Sequence, residues 1–222
     1  MKLAIRPLVL STATFGLMLG VSQNAQAAGL IPNVTATAPG FTTGALGSLA
    51  ATTNGAGLPG NTPSLTGTHA VTNTGTTPNA WRSSILNSST VGNVTINFAF
   101  GRIYNLAGFS FWNLNGGQGI NGVTIQYSSN NGGTWTTLTG TGVPTSFTQG
   151  PNTGAVAVQQ FSFTPVLATN VRFRNMTNHG TTGTNTYRLG FNEIQFRSIP
   201  EPSSTLALLA LGLGGVGLRK RV

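Results

Sequence analysis

Between Asn93 and Gly101 the chain reads NVTINFAFG, with Val94, Ile96, Phe98 and Phe100 on one parity and Thr95 and Asn97 on the other. Such period-two alternation is the pattern of a half-buried strand, because successive side chains of an extended chain point to opposite faces. Comparable runs recur. LAGFSFWNLN brings Phe109 and Phe111 together, and GVTIQYSSNNGGTWTTL carries Val123, Ile125 and Tyr127 into an Asn-Asn-Gly-Gly turn answered by a strand with Trp135. AVAVQQFSFTP, TNVRFRNMT and YRLGFNEIQFR follow. Thr, Asn, Ser and Gly fill the intervals, and Lys and Glu are nearly absent outside the two ends. The pattern predicts an all-β fold, an antiparallel β-sandwich of short strands joined by turns, with Trp81 and Trp135 as core anchors.

A chain of 222 residues is long enough for one such domain with accessory segments. We divide it into residues 1–27, a Gly/Thr/Pro-rich lead-in over 28–60 with at most one strand, near Phe41 to Thr53, a sandwich over 61–198 and a terminal segment over 199–222. The net charge of +9 reflects a shortage of acids more than a basic surface. Of the 11 cations, Lys2, Arg6, Arg219, Lys220 and Arg221 sit at the termini, and the body carries only scattered arginines. Tracking nucleic-acid phosphates needs a contiguous basic face, so no nucleic-acid partner is expected. With 0 Cys there are no disulfides, and stability must come from the core.

The two ends read as addresses. Lys2 and Arg6 precede an apolar run from Leu8 to Val21, and Ala25-Gln26-Ala27 offers a small-x-small site for signal peptidase before Ala28. The last residues read IPEPSSTLALLALGLGGVGLRKRV. As a helix, Thr205 to Leu218 would rise about 21 Å, short of a hydrocarbon core of roughly 30 Å. Arg219, Lys220 and Arg221 extend it by snorkelling, and the positive-inside rule holds them on the cytoplasmic side of the inner membrane. That orientation places the body outside, in agreement with the exporting N-terminus.

Pro200-Glu201-Pro202 followed by an apolar segment and Arg219-Lys220-Arg221 resembles the PEP-CTERM sorting signal. The resemblance implies a membrane protease, exosortase, cutting near Pro200, Glu201 and Pro202, and a destination at the cell surface or extracellular matrix of a Gram-negative bacterium. Pro200 and Pro202 keep the site extended, as a protease requires. The body is similar to the discoidin or coagulation-factor C-type branch of the galactose-binding-like jelly rolls, over roughly residues 62 to 197. The fragments that carry this similarity are NAWRSS, YSSNNGGTW, ATNVRFRNMTNHG and LGFNEIQF. In the last, Leu189 and Phe191 share one parity and Ile194 and Phe196 the other, so a bulge is expected between them.

Chemistry is limited by two acids, Glu193 and Glu201, and two histidines, His69 and His179. Glu193 has no partner carboxylate for glycosidase acid and base roles, no Gly-x-Ser-x-Gly elbow occurs, and no helical His pair could hold zinc. We therefore expect no enzyme activity and no cofactor beyond a structural calcium. The jelly-roll resemblance implies that calcium site, with Glu193 as the ligand and oxygens from the Asn73 to Thr77 loop. That loop lacks the family's Asp, and the alternative is an ion pair of Glu193 with Arg188 or Arg82. Trp112, Asn113 and His179 are the candidate sugar-binding residues, with simple strand packing the alternative for Trp112. Arg172 and Arg174 share an outward, solvated face. The expectation is a noncovalent binding module, with extracellular polysaccharide as its ligand, or a purely structural component of the matrix or biofilm.

Overall fold

The alternating run opens an 18-residue strand, β5 (Ile96–Asn113), the longest in the computed structural model. The structure describes residues 29–41, 43, 45–84, 86, 91–180 and 187–199. Before β5 come β1 (Gly29–Leu30), β2 (Thr35–Thr37), β3 (Leu46–Gly47) and β4 (Trp81–Arg82). After it come β6 (Thr124–Ser128), β7 (Thr136–Thr137), β8 (Gln159–Arg174) and β9 (Gly190–Ser198). Every described helical element is a 3-10 turn of three residues. The all-β expectation holds for these residues. The expected signal-peptide segment, its expected cleavage residues Ala25, Ala27 and Ala28, and the sorting residues from Pro200 to Arg221 lie outside them. Among the described residues no helix is long and apolar enough to cross a membrane.

All strand pairs are antiparallel, in the order β3-β4-β9-β5-β8-β6-β7, with β1 on β9 and β2 on β5. The pairing of β5 with β8 shifts register between Ala99 and Tyr104, which divides the sheet into two layers. In the front layer the first part of β5 lies between β2 and the last part of β8, followed by β6 and β7. In the back layer the rest of β5 lies between the first part of β8 and β9, followed by β4 and β3. Rings from the two layers meet in the core. Phe98 lies 5.3 Å from Phe196 and 6.1 Å from Phe191, and Phe109 lies 6.0 Å from Phe173. Trp81 is buried among them, as expected of an anchor.

The expected bulge is present. Trp112 pairs with Glu193 and Asn113 with Phe191, so Asn192 is the extra residue and both Phe191 and Ile194 reach the core. The lead-in carries more strand than its composition suggested. β1 joins the back layer, β2 the front and β3 the β4 edge, and Ile31, Val34, Ala51 and Leu58 are buried. From Thr53 to His69 the chain then forms a strap across the outer side of the back layer. Its backbone meets that face through Thr53 O with Gln195 Nε2 (3.0 Å), Leu65 O with Ser110 Oγ (2.7 Å) and Gly67 O with Trp112 Nε1 (2.9 Å). Side chains at outward parity on β5 and β9 are therefore covered instead of solvated.

Candidate functional site

Three backbone bridges gather the loops at one end of the sandwich. Arg82 pairs with Gly190, Gly119 bridges Gly190, and Ile120 bridges Asn178. A Cβ on Gly117 would lie 3.3 Å from the Gly180 Cα, so the turn Gly116–Gln118 and the His179–Gly180 backbone are in close contact. Ser83 ties this end together by donating its N–H to Leu189 O and accepting the Leu189 N–H on Oγ at 3.0 Å.

Two guanidinium groups and an imidazole face this junction without acceptors for all their nitrogens. Arg82 Nη1 donates to Gln118 Oε1 at 2.5 Å, and Arg188 Nη1 reaches Ser83 O at 3.5 Å. Arg82 Nε, Arg188 Nε and His179 Nε2 are buried and have no hydrogen-bond partner. Burial, and then the charge of Arg188, lower the Arg82 pKa. A buried donor with no acceptor costs about 1–3 kcal/mol, so a ligand bringing acceptor oxygens would relieve several such costs together. The arrangement suits hydroxyl-rich or anionic ligands.

Of the three residues expected to touch sugar, His179 lies at this end. The other two require correction. Trp112 has no exposed surface; its Nε1–H is taken by Gly67 O and its ring packs with Leu58 and Val156 beneath the strap. It is a packing residue, the alternative weighed for it above. Asn113 is equally buried. Its Nδ2 donates to Ile120 O (2.7 Å) and Thr148 O (2.8 Å), while its Oδ1 accepts from Leu114 N and Ile120 N, so its hydrogen-bonding capacity is used in fixing the 113–120 loop. A Cβ on Gly119 would sit 2.5 Å from Asn113 Oδ1, which is why that approach needs glycine. From the sequence, Arg82 and Arg188 stand only as alternative ion-pair partners of Glu193 and Gln118 is not singled out, so their meeting at this end was missed. The available signal was the position of Arg82 directly after the Trp81 anchor, where a strand runs out into loops.

Glu193 lies under the strap, fully buried, and pairs with neither Arg82 nor Arg188. Its Oε1 accepts the Gly55 N–H at 3.0 Å and a close contact from Gln195 Nε2, while its Oε2 has no partner. Burial pushes its pKa up to about 8, against the smaller opposing effect of the two hydrogen bonds. These residues do not fit a resident calcium, which takes 6–8 oxygen ligands. One oxygen of the lone carboxylate already faces two N–H donors. In the loop implied as co-ligand, Asn73 closes on itself, with Nδ2 donating to Thr77 O and Oδ1 accepting the Gly75 N–H. Among the described residues no group of three or more His, Cys, Asp or Glu is placed to hold a metal.

His69, under the same strap, has Nδ1 at 2.7 Å from Ala70 O and Nε2 at 2.7 Å from Ala56 O. Burial lowers its pKa, and the flanking carbonyls oppose that shift. Gly57, at φ +90°, allows the strap this close, since a Cβ there would lie 2.4 Å from His69 Cε1.

An antiparallel all-β body with a buried closing acid and a loop end rich in unmatched donors describes a binding scaffold. Residues 49–188 match the F5/8 type C domain, and the chain belongs to that family. Residues 198–221 match the PEP-CTERM protein-sorting motif, which marks exported chains sorted at the membrane. The fold is similar to the family 32 CBM from Clostridium perfringens NanJ in complex with galactose, at 12% identity and a TM-score of 0.46, covering 77% of this chain and 99% of that one. It is also similar to GH31 CBM32-2 bound to GalNAc, at 13% identity and a TM-score of 0.44, covering 76% and 97%. A third similar structure is truncated AlyQ with CBM32 and alginate lyase domains, at 16% identity and a TM-score of 0.49, covering 80% of this chain and 35% of that one. No curated protein matches the chain in sequence.

Proposed function

We propose that this chain is an exported cell-surface or extracellular-matrix protein, a galactose-binding-like jelly roll that holds polysaccharide noncovalently at its loop end. The observation that carries the reading is the trio of buried, unmatched nitrogens on Arg82, Arg188 and His179. Hydroxyl and ring oxygens of a glycan are acceptors of the kind the two arginine Nε–H groups lack, and a hydroxyl meets His179 Nε2 in either tautomer. Binding, not turnover, follows from the acids. Glu193 is sealed beneath the strap, and Glu201 belongs to the sorting segment. In affinity gels cast with a panel of polysaccharides, the full chain is expected to be retarded by at least one. Arg82→Gln, which removes the charge and the Nε donor, is expected to weaken that retention on the order of tenfold, the effect of losing one charge-assisted hydrogen bond. Retention on none of the panel would leave the structural matrix role as the better account.

Delivery follows from the two labels. Signal peptidase cuts before Ala28, the inner membrane holds the precursor by its apolar tail with Arg219, Lys220 and Arg221 in the cytoplasm, and an exosortase-type protease cuts near Pro200-Glu201-Pro202. The sheet supports this division, since Gly29 at the start of β1 pairs with Ser198 at the end of β9, so both cuts fall just outside paired backbone. The mature protein is expected to show an N-terminus at Ala28 and a C-terminus within a few residues of Pro200 by intact-mass measurement. An uncut chain in the cytosol would overturn the export reading.

A further inference from the structure

The outward face of the front layer carries a groove of about 560 Å³, lined by none of the loop-end residues Arg82, Gln118, His179 or Arg188. Three of its lining residues, Thr37, Asn97 and Arg172, form a row across it, and two further strands continue the row beyond the groove. Thr37 pairs with Asn97, Asn97 with Arg172, Arg172 with Gln126, and Gln126 with Thr137. At a strand spacing of ~4.8 Å the part of the row within the groove is about 10 Å long, the length of a short sugar segment. Pro39 and Phe41, which follow β2, line one side, and Trp135, which precedes β7, lines the other.

Three features of this groove lack a counterpart. Asn97 Oδ1 and Asn170 Oδ1 are buried acceptors with no donor. Arg172 lies over the Trp135 ring at 4.2 Å and gives its Nε–H to Gln126 Oε1 at 2.7 Å, yet no residue lining the groove is acidic. Arg174, two residues on, lies on the same outward face of β8 and is exposed. Trp135 was expected in the hairpin core. It lies half-exposed on this face instead, whereas Trp81 and Trp112 are buried. Unmatched acceptors ask for hydroxyl donors, arginine without a carboxylate asks for an anion, and a half-exposed indole offers a flat apolar surface to a sugar ring.

We propose that this groove is a second binding site, which takes an extended strand of acidic polysaccharide. Sugar hydroxyls donate to Asn97 and Asn170, and a uronate carboxylate meets Arg172 beside Trp135. The proposal takes its ligand class from the glycan-binding reading above but not its location.

Acrylamide quenching of tryptophan fluorescence reads Trp135 directly, since the other two indoles are buried. Sodium alginate, a polyuronate, is expected to protect Trp135 in the full chain, and neutral dextran is not. Retention on alginate gels is expected to fall on the order of tenfold in Trp135→Ala and in Arg172→Gln. Added salt weakens it, because a half-exposed ion pair is screened. Thr37→Glu adds an acid at an exposed groove position without disturbing the core, and a comparable loss is expected. No protection by alginate, equal protection by dextran, or retention unchanged in all three variants overturns the proposal. Retention lost in Arg82→Gln but kept in the groove variants overturns the groove alone and assigns alginate to the loop end. Retention lost in the groove variants but kept in Arg82→Gln supports the groove and counts against the loop-end site.

Discussion

Phe98→Ala is expected to destabilise the protein by about 4 kcal/mol, in the range for deleting a buried phenyl ring. Phe98 is fully buried where the layers meet, with ring centroids 5.2 Å from Phe173, 5.3 Å from Phe196 and 6.1 Å from Phe191. Those partners come from β8 and β9, so the ring joins the front layer to the back one. The loss therefore includes edge-to-face contacts as well as transfer from water. The surroundings have little freedom to close the cavity, because the Phe98 backbone is paired on one side with Ala36 and on the other with Val171. With no cysteine, no covalent link compensates. Against a typical stability of roughly 5–15 kcal/mol, this one change removes a large share. Urea denaturation should show a lower midpoint at an unchanged slope. Ile103→Ala, at a residue 46% exposed, should shift the midpoint by under about 0.5 kcal/mol. Equal effects of the two changes would mean that Phe98 does not join the layers as described.

Residues such as Phe98 were legible because alternation reports which face a side chain takes. Val94, Ile96, Phe98 and Phe100 all went to the core, and the parity change between Phe191 and Ile194 marked the bulge at Asn192. Alternation does not report what covers the opposite face. Ser110, Trp112, Glu193 and Gln195 have outward parity and yet are buried, because the strap from Thr53 to His69 lies over them. The strap has no periodicity. It meets its partners mainly through main-chain groups, Thr53 O, Gly55 N, Leu65 O and Gly67 O, which any residue supplies equally. That is why Trp112 read as a sugar platform and 28–60 as a loose lead-in. Trp135 failed for a related reason, since its neighbour Arg172 belongs to a distant strand and hairpin position alone does not tell which face the ring takes.

The buried acid makes the other large prediction, a fall in stability as pH rises through neutrality. The Glu193 pKa is raised from 4.5 to about 8, chiefly by desolvation. In the unfolded chain the carboxyl ionises near 4.5, while in the folded protein it keeps its proton until about 8. Between those values the unfolded state binds fewer protons, so unfolding becomes easier with each step up in pH. His69 acts in the opposite sense. Its folded pKa lies below 6.5, so its contribution is present above 6.5 and lost as pH falls through the folded value. From about pH 7 to 8, then, His69 is mostly neutral in both states and the Glu193 slope dominates, at up to about 1.4 kcal/mol per pH unit and about half that at pH 8. For a domain of this size that is a fall in Tm of roughly 2–6 °C per unit. Glu193→Gln keeps an acceptor for the Gly55 N–H and carries no proton to lose. Its Tm should stay flat over this window and exceed that of the wild type at pH 8. The same scans test the metal. If a cation sat on the Oε2 oxygen, the carboxylate would be ionised in both states, and wild-type Tm would stay flat toward pH 8 and drop on adding EDTA. Parallel curves for wild type and Glu193→Gln would show that the carboxyl does not titrate under the strap at all.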